Sequence, residues 1–406
     1  MSEYKSLIKL SFGNYNAINS EYQSRINNPC AYKTNLKISP VLRGEKDIQT
    51  KYELFCLPIN KIVILQEKIF FNSKEIIKLN NSLPKAARNV CINDIMANEI
   101  NKSNGIEGVY STKKDIYNSM IKTTRYSGIV NKYKQIIENN IEKIESPEEI
   151  RKIYDDIFKE DILKYSENKL DGNIFRNSPV FIKGPTRNIH QGDLTEQSII
   201  LHITDLIHFM NKKEIPSLIK APIVHYYFEY IHPFYDGNGR FGRFLLSAYL
   251  ARKIDIYTGL SLSYSIFSAK DKYYSLFSEV SNKRNYGEMT FFIIGILEFV
   301  IKGQESIIEM LKDKTIKLNF AEKYIEDLKD IEDVEKDILY IYIQNYIFAK
   351  ENPLTDIEIH KYFKEIKNIN TFRKKLNRLE ENNYIIKLSK NPISRCISEN
   401  IKNLFD

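Results

Sequence analysis

One stretch leaves this chain few options: Ile231-His232-Pro233-Phe234-Tyr235-Asp236-Gly237-Asn238-Gly239-Arg240-Phe241-Gly242-Arg243. It follows an apolar helical run, Leu218 to Tyr230, and opens another, Phe244 to Ala251. Pro233 stops the first run, Asp236 and Gly237 turn the chain, and Gly239 permits close backbone approach. The local order is therefore helix, tight turn, helix.

A turn that feeds a helix N-terminus through two glycines forms an anion cradle. Free backbone N–H groups and the positive end of the helix dipole point at whatever binds there. Arg240 and Arg243, three apart on the first turn, suit bidentate contacts to phosphate. Asp236 at the lip can hold a hard cation that bridges phosphate oxygens. His232 adds a base whose ordinary pKa lies near neutrality. Together they make a kit for moving a phosphorus-centred group onto a hydroxyl. A lone histidine after an apolar helix is more often a packing residue, and His202, His208, His225 and His360 keep that reading. For His232 the neighbouring glycines and arginines argue otherwise.

The run Gly237-Asn238-Gly239-Arg240-Phe241-Gly242 also matches the dinucleotide fingerprint G-x-G-x-x-G. That fingerprint needs a preceding strand and an acidic residue about twenty positions on. Here a helical run precedes it, and no Asp or Glu lies between Asp255 and Asp271. The match is rejected, and no G-x-x-x-x-G-K-[ST] loop occurs either.

Composition sets the outer bounds. The 406 residues are 43% hydrophobic and 28% charged, which excludes a mainly disordered chain and predicts two or three domains. An excess of 60 Lys and Arg over 52 Asp and Glu gives a net charge of +8, compatible with phosphate ligands, nucleic acid or acidic surfaces alike. Cys30, Cys56, Cys91 and Cys396 have no metal-site spacing and imply free thiols in a reduced compartment. The start, Met1 to Lys5, lacks the basic-then-apolar pattern of a signal peptide, and the most apolar stretch, Phe291 to Ile301, is too short for a membrane span. A cytoplasmic protein with no membrane partner is expected.

Three regions are expected along the chain: 1–85, 86–315 and 320–406. The first mixes short apolar runs, Leu54 to Leu57 and Ile62 to Leu65, with polar breaks. Helical pattern runs from Ala86 to Ser103, where Gly105 and Gly108 are expected to break it. Ser178 to Pro185 has the character of a strand followed by a turn. In the last region a run from Val334 to Lys350, a capping box at Thr355-Asp356-Ile357-Glu358, a run from Asn370 to Glu381 and a hairpin flanking Asn391-Pro392 give the order of a winged helix. Its basic run, Arg373 to Arg378, is either a solvated face or a DNA-reading helix.

The segment His232 to Arg243 matches in full the motif H-x-F-x-[DE]-G-N-G-R-x-x-R, and the chain thereby resembles the Fic-domain family. The resemblance covers about residues 86 to 300, with the core at about 150–300. It implies a mainly α fold: a helical core with a β-hairpin flap, joined here to the winged-helix-like region. It also implies transfer of AMP from ATP to a Ser, Thr or Tyr hydroxyl of a target protein or of the chain itself, with release of pyrophosphate.

By resemblance His232 is the general base and Asp236 the Mg²⁺ ligand. Gly237, Asn238 and Gly239 belong to the phosphate cradle, and Arg240 and Arg243 to the clamp, with Arg243 meeting the γ-phosphate. Phe234 anchors the loop. Val180, Phe181, Ile182 and Lys183 resemble the flap that docks the target as an added strand. Tyr273, Tyr274 and Asn282 resemble the adenine side. Gly239 stands where phosphate-transferring relatives have Lys. Upstream, Ser103-Asn104-Gly105-Ile106-Glu107-Gly108 fits the family's inhibitory motif [ST]-x-x-x-E-[GN], in which Glu107 competes for Arg243. Removal of AMP at the same site, or a DNA-binding regulator that carries this fold, are the alternatives.

Overall fold

The computed structural model describes residues 4–13, 18–141, 143–184, 188–350 and 353–405. The chain divides into two compact units, Met1–Lys74 with Ile95–Ser306, and Glu75–Asp94 with Ile307–Asp406. Both are mainly helical, and the described strands form four two-stranded antiparallel pairs.

The larger unit is organised around the helix Ser217–Ile231, here the lead helix. Every residue from Leu218 to Phe228 is buried. A helix apolar on all sides must sit inside its domain, and this one packs between Glu196–Asn211 and Asn238–Lys253, the motif helix. Three aromatic rings close the floor beneath the turn that joins lead and motif helices. Phe234 is fully buried and stacks on Tyr154 at 3.5 Å, with Phe241 edge-on.

Residues 1–74 belong to this unit rather than forming a separate region. Tyr32–Ile38 pairs with Tyr52–Cys56, and a short hairpin, Val41–Leu42 with Glu45–Lys46, lies beside the later hairpin Phe181–Lys183 with Asn188–Gln191. The two apolar runs of this region differ in kind. Leu54 to Cys56 is strand, whereas Ile62 to Leu65 lies in the helix Asn60–Ser82. Its buried positions Ile62 and Ile69 repeat at seven, the spacing of a helix face, while Val63 and Ile64 stay exposed.

The helix Lys85–Ile106, here the arm helix, continues through Gly105 instead of breaking there. A Cβ at Gly105 would come 2.7 Å from the Phe267 ring, so this glycine serves packing and not termination. Gly108, at φ +72°, ends the turn that follows.

The smaller unit carries helices Asp333–Ala349, Asp356–His360 and Ile369–Glu381, then the antiparallel pair Ile385–Lys390 and Ile393–Ile397. Thr355 and Glu358 form the expected capping box. Leu339, Tyr342, Phe372, Leu376 and Ile397 share its core.

Candidate active site

A cavity of about 630 Å³ opens over the turn between lead and motif helices. His232 caps the lead helix in the left-handed region, at φ 54°, which swings its ring out of the helical path and into the cavity. Its Nδ1 lies 3.3 Å from the Glu229 carbonyl oxygen, a bond that keeps the proton on Nδ1 and leaves Nε2 as the lone-pair nitrogen. Burial, reinforced by the Arg176 guanidinium, pushes its pKa down to about 4. The ring is therefore neutral at pH 7.

Gly237, at φ 78°, caps the motif helix. The first N–H groups of that helix have no acceptor within it and face the cavity lined by Asp236, Gly237, Asn238 and Gly239. The Asn238 side chain is turned away from the cavity. Its Oδ1 accepts from the Phe234 N–H at 2.9 Å and its Nδ2 donates to the Phe234 carbonyl at 2.8 Å, locking the loop. Only the Asn238 backbone is left for the cradle. Asp236 is exposed at the lip, with the Gly237 N–H donating to its Oδ1.

The structure separates the two arginines. Arg243 is 1% exposed and lines the cavity. Its Nε donates to Ser103 Oγ at 3.0 Å, one terminal nitrogen to the Ser103 carbonyl at 3.0 Å, and the other to Glu107 Oε1 at 2.7 Å. Arg240 does not line that cavity: it donates to Asp161 at 2.6 Å and lies over the Phe158 ring. Asp161 also holds Arg125, so Arg240 is a strut beneath the cradle and not the second jaw expected from the motif.

Glu107 sits where an anion would. A Cβ at Gly239 would come 2.2 Å from Glu107 Oε1, so only glycine admits this carboxylate to the helix N-terminus. The arm helix holds it there. Tyr274 Oη donates to the Ile106 carbonyl at 3.3 Å and Lys270 to the Gly105 carbonyl at 3.3 Å. Two turns earlier buried Glu99 accepts from the Ser263 N–H and Oγ at 2.7 and 2.6 Å.

The segment Phe181–Lys183 pairs with Asn188–Gln191 in register Ile182↔His190, and Val180, Phe181 and Ile182 face the cavity. Lys183 belongs to the strand. Residues 185–187, between the two strands, lie outside the described residues. Residues 144–250 match the Fic/DOC family model. That segment is similar to Fic domains.

The solved structures this chain resembles are distant in sequence. A Fic family protein from Desulfovibrio desulfuricans G20 is 17% identical with a TM-score of 0.51, covering 84% of this chain and 97% of that one. A Fic domain containing signaling protein from Bacteroides thetaiotaomicron VPI-5482 is 17% identical at a TM-score of 0.44, covering 59% and 97%. Fic-1 from C. elegans is 15% identical at 0.42, covering 61% and 72%.

The residues expected on the adenine side divide. Tyr273 is buried and its hydroxyl meets His225 Nε2 at 2.7 Å, so it is chiefly a packing residue whose edge lines the cavity. Tyr274 is 40% exposed and faces the cavity. Asn282 is not among the lining residues; it caps the short helix Lys283–Asn285 through the Arg284 N–H.

Three residues that the motif does not announce complete the site. Arg176, fully buried, donates to the His232 carbonyl at 2.8 Å and to the Ser178 carbonyl at 2.6 Å, tying the turn at His232 to the segment before Phe181. Lys46 reaches from the early hairpin to Asp193 at 2.7 Å, and its N–H bonds the flap residue Gln191 at 3.0 Å. Glu229 is buried beside His232. Among the described residues no cluster of three or more His, Cys, Asp or Glu forms a metal site, and no helix is long and apolar enough to cross a membrane.

Proposed function

We propose that this chain is a protein adenylyltransferase that transfers AMP from ATP to a hydroxyl of a target protein, and to itself, and is held inactive by Glu107. The observation that carries the reading is the occupancy of Arg243. A buried, unmistakably cationic group faces a phosphate-sized cradle, and the protein's own carboxylate already occupies it. Arg243 is the group suited to the γ-phosphate. With Glu107 on it, ATP lacks that anchor and its α-phosphorus is not presented in line to the hydroxyl.

With Glu107 withdrawn, the N–H groups at 238–240 receive the phosphate oxygens and the flap edge at Val180 to Ile182 receives the target backbone. His232 Nε2 takes the hydroxyl proton as the oxygen attacks the α-phosphorus and pyrophosphate leaves. Asp236 is a single exposed carboxylate at the lip. That fits Mg²⁺, which binds through one or two carboxylates and the substrate's phosphates while keeping waters. Bound there, the ion would supply charge neutralisation at the diphosphate. Gly239 supports AMP transfer over phosphate transfer, because no lysine projects from that position.

Parallel incubation of the Glu107→Gly protein with α-labelled and γ-labelled ATP tests the proposal. The α label alone is expected to stay on protein. Retention of the γ label would make the reaction phosphate transfer, and retention of neither would remove the proposal.

A further inference from the structure

His232 holds a left-handed backbone, φ 54° and ψ 62°, without being a glycine. Such a conformation persists only where the surroundings over-determine it. Arg176 grips the turn at three successive carbonyls. Its Nη2 donates to Ile231 at 3.3 Å, its Nε to His232 at 2.8 Å, and its backbone N–H to Pro233 at 3.4 Å. Nη1 reaches the other way, to the Ser178 carbonyl at 2.6 Å, so the guanidinium is fixed at its far end as well. One residue earlier, Phe175 is fully buried against Phe234, with ring centroids 5.6 Å apart, and its N–H donates to Glu196 at 3.0 Å. The chain is thus anchored on both sides of Arg176.

The choice of arginine here is informative. The side chain is fully buried, and among the described residues its hydrogen bonds all go to carbonyl oxygens. Asp193, the carboxylate whose field reaches it, is already bonded to Lys46 at 2.7 Å and to His202 at 2.6 Å. A buried guanidinium with no carboxylate of its own costs stability. What it supplies in return is a rigid planar fork that fixes several acceptors relative to one another, which a flexible ammonium does not. The fold also makes room for it. A Cβ at Gly192 would come 2.5 Å from Arg176 Nη2 and 3.0 Å from His232 Cβ, so only glycine lets the fork and the turn lie this close.

We propose that Arg176 is a positioning residue for His232, fixing the strained turn that aims the imidazole into the cavity. The proposal rests on the base role given to His232 under the proposed function. Arg176 is not among the residues lining the cavity, so it meets neither nucleotide nor hydroxyl and takes no proton. It acts through the backbone of 231–233. With those carbonyls held, the ring keeps its Nδ1 on the Glu229 carbonyl at 3.3 Å and presents Nε2 to the hydroxyl. With them released, the turn relaxes toward right-handed backbone and the ring leaves that line. The effect falls on the transfer step, where base and hydroxyl must meet, and not on the cradle at 238–240 that receives ATP.

The test uses full-length protein with Glu107→Gly, alone and combined with Arg176→Gln or Arg176→Lys. AMP transfer by Arg176→Gln is expected to fall about a hundredfold in kcat, the loss that a misplacement of about 1 Å produces, with Kd for ATP unchanged. Arg176→Lys keeps the charge without the fork and should recover only part of the rate. The tautomer of His232 is read directly by ¹⁵N NMR on histidine-labelled protein, with His232→Gln to assign the signal. The Nδ1–H form should dominate in the parent, and both Arg176 variants should show a mixture of tautomers. Unchanged kcat in folded Arg176→Gln overturns the proposal, as does lost kcat with the tautomer unmoved. Full recovery by lysine also overturns it, because charge alone would then suffice. Should Arg176→Gln not fold, Arg176→Lys decides by the same two readouts. If no protein transfers AMP, the tautomer still decides whether Arg176 sets His232, and the failure then belongs to the proposed function.

Discussion

Removing the Glu107 carboxylate should raise the rate of AMP transfer, and the structure bounds by how much. Glu107 makes one charge-assisted hydrogen bond to Arg243, at 2.7 Å, while Ser103 keeps two further contacts to the same guanidinium. Arg243 is 1% exposed, but the Glu107 side chain is 32% exposed, so water screens part of the interaction. A bond of this kind is worth about 1.5–3 kcal/mol, and the exposure places it in the lower half of that range. About 1.5–2 kcal/mol corresponds to roughly a ten- to thirtyfold change in the competent population. Glu107→Gly is therefore expected to incorporate label from α-labelled ATP about ten to thirty times faster at saturating ATP. Adding Arg243→Ala should abolish the gain, because the freed arginine is the group ATP uses. Melting temperatures on the same proteins separate regulation from stability. A soundly folded Glu107→Gly protein that transfers no faster than the parent would refute the autoinhibitory contact.

Asp236→Ala, or chelation of divalent cations, should stop turnover in the Glu107→Gly protein; undiminished activity in chelator would remove the metal from the scheme. Phe234→Ala should destabilise the larger unit by about 3–5 kcal/mol, read as a lowered urea midpoint, since the ring stacks on Tyr154 in a fully buried setting. Lys46→Met should cost on the order of 3–5 kcal/mol or less, because Asp193 keeps His202 at 2.6 Å as a partner, and should raise proteolytic cleavage at the flap. The basic run of the smaller unit should not bind duplex DNA tightly. Lys375 and Arg378 pair with Glu332 at 2.8 and 2.7 Å and Arg373 with Asp356 at 3.4 Å, so salt-dependent duplex binding by the intact chain would contradict this.

The motif loop was legible because its parts are contiguous: a proline stop, two glycines and the helix start fix the geometry of His232, Asp236 and the cradle without long-range information. Glu107 was legible by spacing, though not the means by which Gly239 admits it. What escaped reading depends on distant partners. Arg240 and Arg243 look alike in sequence, and only Asp161, brought up by another element, turns the first away. Lys46 meets Asp193 across 147 residues and carries no local mark. Glu229 lies in the run His225-Tyr226-Tyr227-Phe228-Glu229-Tyr230, where a single acid has the pattern of a solvent-facing position, yet the helix is buried on every side. Gly105 was misread as a helix breaker because its use, contact with Phe267, is tertiary.

On the proposed function, His232 drives transfer of AMP. Intact mass measurement of Glu107→Gly and of Glu107→Gly with His232→Ala, each incubated with ATP and Mg²⁺, tests it most directly. The first protein should gain mass in steps of one AMP moiety and the second should gain none while still binding ATP. An equal gain in both would contradict the account.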